Sequence, residues 1–392
     1  RADRVRAQTA LREAGDAVHA AAAQLPLTAP AWADLLAPPF RPLAAPEGRA
    51  VVVYRVTEGA TSTWVALPGA PVRYFRGPGR ARLSAELKQA RAALSEAPAD
   101  WEPGARRDPN ASDWAALGRP VRSALPFAGD RKLLEALGAL PIDVYPDGPL
   151  STFPLDALVL APPDRKALGA APRFVGAALD LRPRLTAQQT GAPREGEGVF
   201  LFGPLPEATG CPGTACAAPG ISPAALSAAL GAAVSADAPT AEIAGAEAVA
   251  PALARAMGAA RTGVLAGPID PTTGAILTAP SEAGQPYGGL GGADLAFTPS
   301  ATTTLVIARL DDAGDDALRR LAVMAGYGGL STLWVRALGA AEDALPPSFL
   351  ADGASWRAAL RRAMQATVDP AQGGPALHHP ARWARWMRFG SD

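Results

Sequence analysis

The spacing of hydrophobic residues divides the chain into two parts with different predicted architectures. Three runs rich in β-branched and aromatic residues are separated by turn-forming residues, at 51–56, 63–67 and 71–75. This pattern predicts an antiparallel meander of three strands. Helical patterns follow at three places, near residues 82–94, 113–125 and 131–137. We therefore expect the first part to be an α+β lobe.

From residue 142 onward, short apolar runs alternate with helical segments. The predicted strands are 142–145, 199–202, 262–266, 304–308, 331–335 and 385–389. The predicted helices are 223–230, 246–257, 315–325 and 355–366. This alternation favours an α/β fold with a largely parallel sheet flanked by helices. In such sheets, sites form beyond the carboxyl ends of the strands.

An alanine-rich stretch with interspersed charges, residues 2–24, predicts a solvent-facing helix before the first lobe. The sequence also resembles an excised C-terminal part of a longer protein. We divide the chain into a helical segment or linker at 1–44, the α+β lobe at 45–140 and the α/β core at 141–392.

The composition is that of a folded protein with no net charge. Of the 392 residues, 48% are hydrophobic and 19% are charged, which is enough apolar material for two or three domain cores. The 37 basic residues equal the 37 acidic residues, so no overall field favours nucleic acid or an anionic membrane. No apolar run reaches the roughly 20 residues that span a bilayer, and no signal pattern is present. We expect a cytoplasmic protein.

Several segments, in the right order along the chain, resemble parts of one known family. The most specific is residues 146–158, with the sequence PDGPLSTFPLDAL. Residues 289–295 resemble the approach to the nucleophile strand, residues 321–335 the elements after it, and residues 383–390 the closing strand. With the meander, these segments resemble CHAT domains, which are caspase-like cysteine peptidases often linked to tetratricopeptide repeats. The resemblance implies a caspase-like α/β fold and a bacterial setting.

In that family a histidine follows one core strand and a cysteine follows the next, and the imidazole generates the thiolate. By the resemblance, those positions are Pro268 and Asp311 in this chain. Proline neither accepts nor donates a proton, and a carboxylate does not replace a thiolate. We therefore predict no catalytic residue. The candidate vestigial cleft consists of Pro268, Asp270, Asp311, Asp312, Trp334 and Arg336.

A displaced dyad is the alternative that would restore catalysis. The cysteines are Cys211 and Cys216, in a loop rich in glycine and proline, and the histidines are His19, His378 and His379. No histidine lies near the end of strand 262–266, and no base is identifiable beside either cysteine. Incidental thiols or a local disulfide are the simpler interpretation of the two cysteines.

Two segments, one acidic and one rich in glycine, could be interpreted as ligand sites, but a simpler interpretation accounts for each. The acidic run 311–316 lacks calcium-loop spacing, so we expect helix capping and solvation rather than a metal site, with binding of a basic partner segment as the alternative. The glycine-rich run 288–295 is not followed by the Gly-Lys-Ser/Thr of a phosphate loop, and we expect a flexible connection there. We predict no metal and no cofactor.

The arginines and tryptophans of 382–388 are predicted to belong to a core strand rather than to a nucleic-acid platform. The prediction for the whole chain is a catalytically inactive, CHAT-like pseudo-peptidase that binds protein as a scaffold or regulator. Its partner would be an active peptidase of the same family or a repeat-containing protein. The alternatives are an active cysteine peptidase with a displaced dyad and a peptide-binding module that uses the vestigial cleft.

Overall fold

The computed structural model describes a mixed α/β protein with two large sheets, each with its own hydrophobic core, and two small two-stranded sheets. The described residues are 44–95, 111–161, 172–184, 196–203, 240–265, 269–270, 273–280, 287–291, 294–295, 300–302, 304–307, 321, 330, 332–336 and 386–390. The helices predicted at 2–24, 223–230 and 355–366 lie outside this set, as do all three histidines and both cysteines.

The first sheet begins with the predicted meander. Its strands are β1 (Ala50–Val56), β2 (Thr61–Ala66) and β3 (Arg73–Gly77). Each pairs antiparallel with the next, so the meander prediction is confirmed. Alternate residues of β1 and β2, including Val52, Tyr54 and Val65, lie in the core, as expected for strands whose successive side chains point to opposite faces.

Four helices follow β3, and their apolar positions explain how they pack. Helix α1 (Arg80–Ser95) buries Leu83, Leu87, Ala90 and Leu94, spaced three and four residues apart as on one helix face. The predicted helix at 113–125 is divided into α2 (Ala111–Gly118) and α3 (Val121–Ala124). The break occurs at Pro120, because proline disfavours helical backbone in the residue before it. Helix α4 (Arg131–Gly138) begins where Asp130 accepts a hydrogen bond from the Leu133 amide at 2.9 Å.

Two parallel strands complete the first sheet, β4 (Pro141–Tyr145) and β7 (Asp180–Pro183). The sheet order is β3-β2-β1-β4-β7, with β4 parallel to both β1 and β7. Between β4 and β7 lie β5 (Val159–Ala161), β6 (Arg173–Phe174) and α5 (Val175–Ala178). We predicted strand 142–145 correctly but assigned it to the second sheet, and that assignment was wrong. Strand β4 belongs to the first sheet because it pairs with β1 and β7. The strands of the second sheet begin after β7, at residue 199.

The second sheet contains five parallel strands and one antiparallel edge strand. The parallel strands are β8 (Val199–Phe202), β9 (Thr240–Ile243), β10 (Thr262–Leu265), β13 (Thr304–Ile307) and β14 (Thr332–Arg336). The antiparallel strand is β15 (Trp386–Gly390), and the order is β15-β14-β13-β10-β8-β9. All residues of β8 and β10 are buried, which is why β8 appears in the sequence as a continuous apolar run and Thr262 is the polar residue of β10. Helix α6 (Ala250–Ala259) buries Leu253 and Met257 against this sheet.

A glycine lies at the centre of the second sheet, where β10 is flanked by β8 and β13. A Cβ added at Gly263 would lie 2.4 Å from Cζ of Phe200 and 3.1 Å from Cδ1 of Leu305, and both side chains are fully buried. Gly263→Ala is therefore expected to destabilise the fold by about 1–3 kcal/mol, the usual cost of an overpacked core. Urea unfolding would measure it. Gly129→Ala is the control, because no atom lies within 4 Å of a Cβ there; equal midpoints for the two variants would contradict the prediction.

Within the described part of the chain, no helix has the length and hydrophobicity needed to cross a membrane.

Candidate functional site

The strands that precede the two candidate dyad positions are neighbours in the second sheet. Strands β10 and β13 run parallel and in register from Thr262↔Thr304 to Leu265↔Ile307. Their carboxyl ends therefore lie side by side at one edge of the sheet, where open α/β sheets carry their sites. Pro268 follows β10, and Asp311 and Asp312 follow β13. These three residues lie outside the described set, so the geometry of the site is that of the strands that lead into it.

The segment before β13 fixes its position against helix α6. Thr302 is buried, and its hydroxyl donates to the carbonyl oxygens of Ala260 at 2.8 Å and Met257 at 3.1 Å. The Ser300 hydroxyl also donates to the Met257 carbonyl, at 3.2 Å. The last carbonyls of a helix have no partner within the helix, and these hydroxyls supply one. The capped helix leads directly into β10, so the same contacts hold β10 and β13 in their relative register.

Strand β14 brings Trp334 and Arg336 to the same sheet. Trp334 lies opposite Val306 of β13, inside the strand, whereas Arg336 is the last residue of β14 and pairs with Trp386 of β15. Arg336 is thus placed at the same carboxyl edge as the continuations of β10 and β13. Trp334 lies two residues before that edge.

Asp270 has a structural role in a tight turn that follows β10. Its Oδ1 accepts a hydrogen bond from the Thr273 amide at 3.0 Å, and its backbone amide donates to the Ala275 carbonyl at 2.9 Å. Gly274 has a φ of 75°, a left-handed conformation that favours glycine. An isolated bridge between Ile269 and Ile276 closes the turn. This arrangement is an aspartate turn, in which the carboxylate is used to hold the backbone.

The turn leads into a small hairpin that the sequence analysis did not predict. Strands β11 (Ile276–Thr278) and β12 (Gly288–Leu290) pair antiparallel, so the expectation of a flexible connection at 288–295 was wrong over Gly288–Leu290. Glycine is needed because a Cβ at Gly288 would lie 2.6 Å from Oγ1 of the buried Thr278. The Ala279 amide donates to the Ala248 carbonyl at 2.7 Å, and Ile276 and Leu290 are buried. The hairpin is therefore part of the second core.

The 146–158 segment is an internal structural element of the first lobe. Asp147 is buried, and its Oδ2 accepts the Val56 amide of β1 at 2.7 Å. Two short 3-10 turns follow, Gly148–Thr152 and Leu155–Ala157, and an Arg91 guanidinium nitrogen donates to the Thr152 hydroxyl. Leu150, Phe153, Ala157 and Leu158 are completely buried. The segment that carries the strongest family resemblance thus builds the core of the first lobe.

One arginine joins the first sheet to the second. Nε and an Nη of Arg184 donate to Oδ1 of Asp143 at 2.8 and 2.5 Å, and its other Nη donates to the Gly390 carbonyl of β15 at 2.7 Å. Both side chains of the pair are 11% exposed. Burial raises the pKa of nearby Tyr145, the Asp143 carboxylate raises it further, and Arg184 opposes them. We call Asp143, Arg184 and Gly390 the lobe clamp.

Among the described residues, no group of three or more histidine, cysteine, aspartate or glutamate side chains is arranged to hold a metal ion. Comparisons with protein families and with curated proteins found no match to this chain.

Proposed function

We propose that this chain is a catalytically inactive, CHAT-like module of caspase-like fold that acts by binding another protein. The observation that carries the proposal is the pairing of β10 with β13 in parallel register. A peptidase dyad needs two strand ends that lie side by side, and the residues at the assigned positions after these strands are Pro268 and Asp311. The framework is thus suited to the chemistry, while the two side chains at the assigned positions are not.

The first lobe supports the same proposal. The 146–158 segment, on which the family resemblance rests most strongly, is a buried and hydrogen-bonded part of the core. A module that lacks a nucleophile and a base but keeps a packed core is suited to binding another protein. We infer that its partner is a bacterial protein, either an active peptidase of the same family or a protein with repeats.

Restoring a cysteine and a histidine tests the assignment of the two positions. In a Cys211→Ser, Cys216→Ser background, Asp311→Cys supplies the sole thiol, and adding Pro268→His places an imidazole on the neighbouring strand end. A histidine in reach favours the thiolate, so iodoacetamide should label the His-containing variant faster than the Cys-only variant at pH 7, several-fold or more. Equal labelling rates would reject the assignment of Pro268 and Asp311 to the dyad.

The unmodified chain tests the displaced-dyad alternative. It would be incubated with peptidyl acyloxymethyl ketones, with heat-denatured protein as the control. We expect no label that depends on the fold. Labelling of Cys211 or Cys216 that requires the fold and is competed by peptide substrate would overturn the proposal.

Binding is tested with purified components. The chain would be affinity-isolated from its source organism beside an unrelated bait, and a stoichiometric partner would then be expressed and its affinity measured by calorimetry. The proposal expects a one-step binding isotherm and an intact partner after incubation. Cleavage of the partner, or no saturable binding by any isolated candidate, would contradict it.

A further inference from the structure

Strand β3 is the free edge of the first sheet. Its neighbour is β2, and no backbone hydrogen bond joins it to any other described residue. Val72, just before β3, is 41% exposed, and Tyr74 is 54% exposed; they are the large hydrophobic side chains that the described residues leave exposed. An edge strand presents unpaired backbone donors and acceptors, which a further strand can use. The edge thus combines free backbone groups with exposed apolar surface.

One face of β3 is already occupied by its own lobe. The Phe75 ring packs edge-on against the buried Phe127 ring, with centroids 6.1 Å apart. Arg73 lies 5.4 Å from the Phe75 ring centroid and donates to Asp130 at 2.7 Å. The hydrogen bond from the Leu133 amide, followed by that from Arg73, lowers the pKa of Asp130, so the partner of Arg73 stays ionised. These contacts hold β3 in place without using its other face.

The other face is aromatic and basic. We call Val53, Arg55, Ser62, Trp64, Tyr74 and Arg76 the open face, because they lie opposite the core-facing residues of β1–β3. The Trp64 and Tyr74 rings are 5.8 Å apart, and Oγ of Ser62 and Oη of Tyr74 share a hydrogen bond of 3.2 Å. Arg55 and Arg76 flank Ser62 in register, and neither forms an ion pair with a described residue. None of these six residues is acidic, and Asp143, on the same face of the sheet in β4, is paired with Arg184.

We propose that β3 is a docking edge for an extended, acidic segment of a partner protein, which adds to the first sheet as a sixth strand. Residues directly opposite across a strand pair share a face. The bound segment would therefore place a carboxylate opposite Arg76 and an apolar side chain opposite Tyr74, two positions apart. Main-chain hydrogen bonds would supply affinity and these two side chains specificity.

The charge pattern selects this occupant over two others. A second copy of the chain paired edge to edge would bring a second Arg76-bearing strand against the first, and like charges across strands are unfavourable. Single-stranded nucleic acid requires a flat stacking platform and a basic groove. The Trp64 and Tyr74 rings are tilted by 50°, and the whole chain is neutral, so an acidic peptide fits better.

The test uses a fluorescein-labelled peptide of repeating Thr-Glu-Thr-Val sequence, whose glutamates and valines share one face of a strand. Fluorescence anisotropy would measure its affinity for the full chain. Arg76→Glu is expected to weaken binding by more than about tenfold, since it places a carboxylate of the protein opposite a carboxylate of the peptide. Tyr74→Ser should also weaken it, whereas Arg261→Glu, an exposed arginine beside the second sheet, should leave it unchanged.

A charge swap makes the test independent of folding defects. A peptide with lysine in place of glutamate should bind Arg76→Glu better than it binds the unmodified chain. Circular dichroism of each variant would verify that the exposed substitutions leave the fold intact. The surface lies on the first sheet, so failure here leaves the assignment of Pro268 and Asp311 untouched.

Besides dimerisation, four outcomes would overturn the proposal. The first is that the acidic peptide does not bind at millimolar concentration, and the second is that Arg76→Glu and Arg261→Glu reduce its affinity equally. The third is that a peptide with alternate N-methylated amides binds as tightly as the unmethylated peptide. The fourth is that an oligo-dT strand binds the same surface more tightly than the acidic peptide does. Dimerisation of the unmodified chain that Arg76→Glu abolishes would likewise assign the edge to a second copy.

Discussion

Replacing Arg184 with methionine is expected to destabilise the protein by about 3–5 kcal/mol, the usual cost of removing one partner of a buried ion pair. The variant leaves Asp143 buried without its main cation. Arg49 lies 3.6 Å from the same carboxylate oxygen and is 39% exposed, so it offers only partial compensation. The variant also loses the hydrogen bond from Arg184 to the Gly390 carbonyl, which weakens the attachment of β15 to the first lobe. Chemical denaturation would measure the loss, and hydrogen exchange of the β15 amides would locate it.

Two controls separate burial from charge in the lobe clamp. Arg131→Met removes an ion pair with Glu135 of similar length, 2.8 Å, but with both side chains largely exposed, and such pairs contribute about 1 kcal/mol or less. The double variant Asp143→Leu, Arg184→Met removes both buried charges and should recover much of the stability. If Arg184→Met cost no more than Arg131→Met, the clamp would have no special role.

The second large effect is expected at Phe153, in the middle of the 146–158 segment. Its side chain is completely buried in the first core, so Phe153→Ala should cost about 3–5 kcal/mol through lost burial and the cavity left behind. Phe153→Leu preserves more of the volume and should cost less than about 1.5 kcal/mol. Circular dichroism and tryptophan fluorescence should be followed together, because coincident curves are required before a free energy is assigned.

The matched surface control for Phe153 is Val72→Ala, at an exposed position where changes are usually within about 0.5 kcal/mol. A small effect at both positions would mean that the segment does not support the core. It would also weaken the argument that the family resemblance marks a structural element.

Local pattern predicted most strands because their burial dictates their composition. Strands β8 and β10 are buried along their whole length and contain short runs with few polar residues, so their bounds were found to within a residue. The sheet to which a strand belongs is a different question. Strand β4 is also buried at its centre, although it contains Asp143, and its neighbours β1 and β7 are set by long-range packing that no local run of residues records.

The neighbouring strand ends were predictable from the sequence, whereas the hydrogen bonds around them were not. Adjacent placement of the ends of β10 and β13 follows from their order along the chain and from parallel pairing. Asp270 was assigned to a cleft, whereas its hydrogen bonds within a turn depend on backbone geometry at Thr273 and Gly274. The lobe clamp joins residues 41 and 206 positions apart, a distance over which sequence spacing carries no signal.

The division of strands between the sheets has a consequence for how the chain folds. The first sheet takes all its strands from residues 50–183, and the second takes its strands from residues 199–390. The first lobe can therefore pair and bury its core while later residues are still being synthesised, as domains do on the ribosome. The second sheet gains its edge strand only after Trp386–Gly390 has emerged, and the bond from Arg184 then spans 206 positions. We expect this closure, which joins the two lobes, to be the slower step, because it requires contacts between distant parts of the chain.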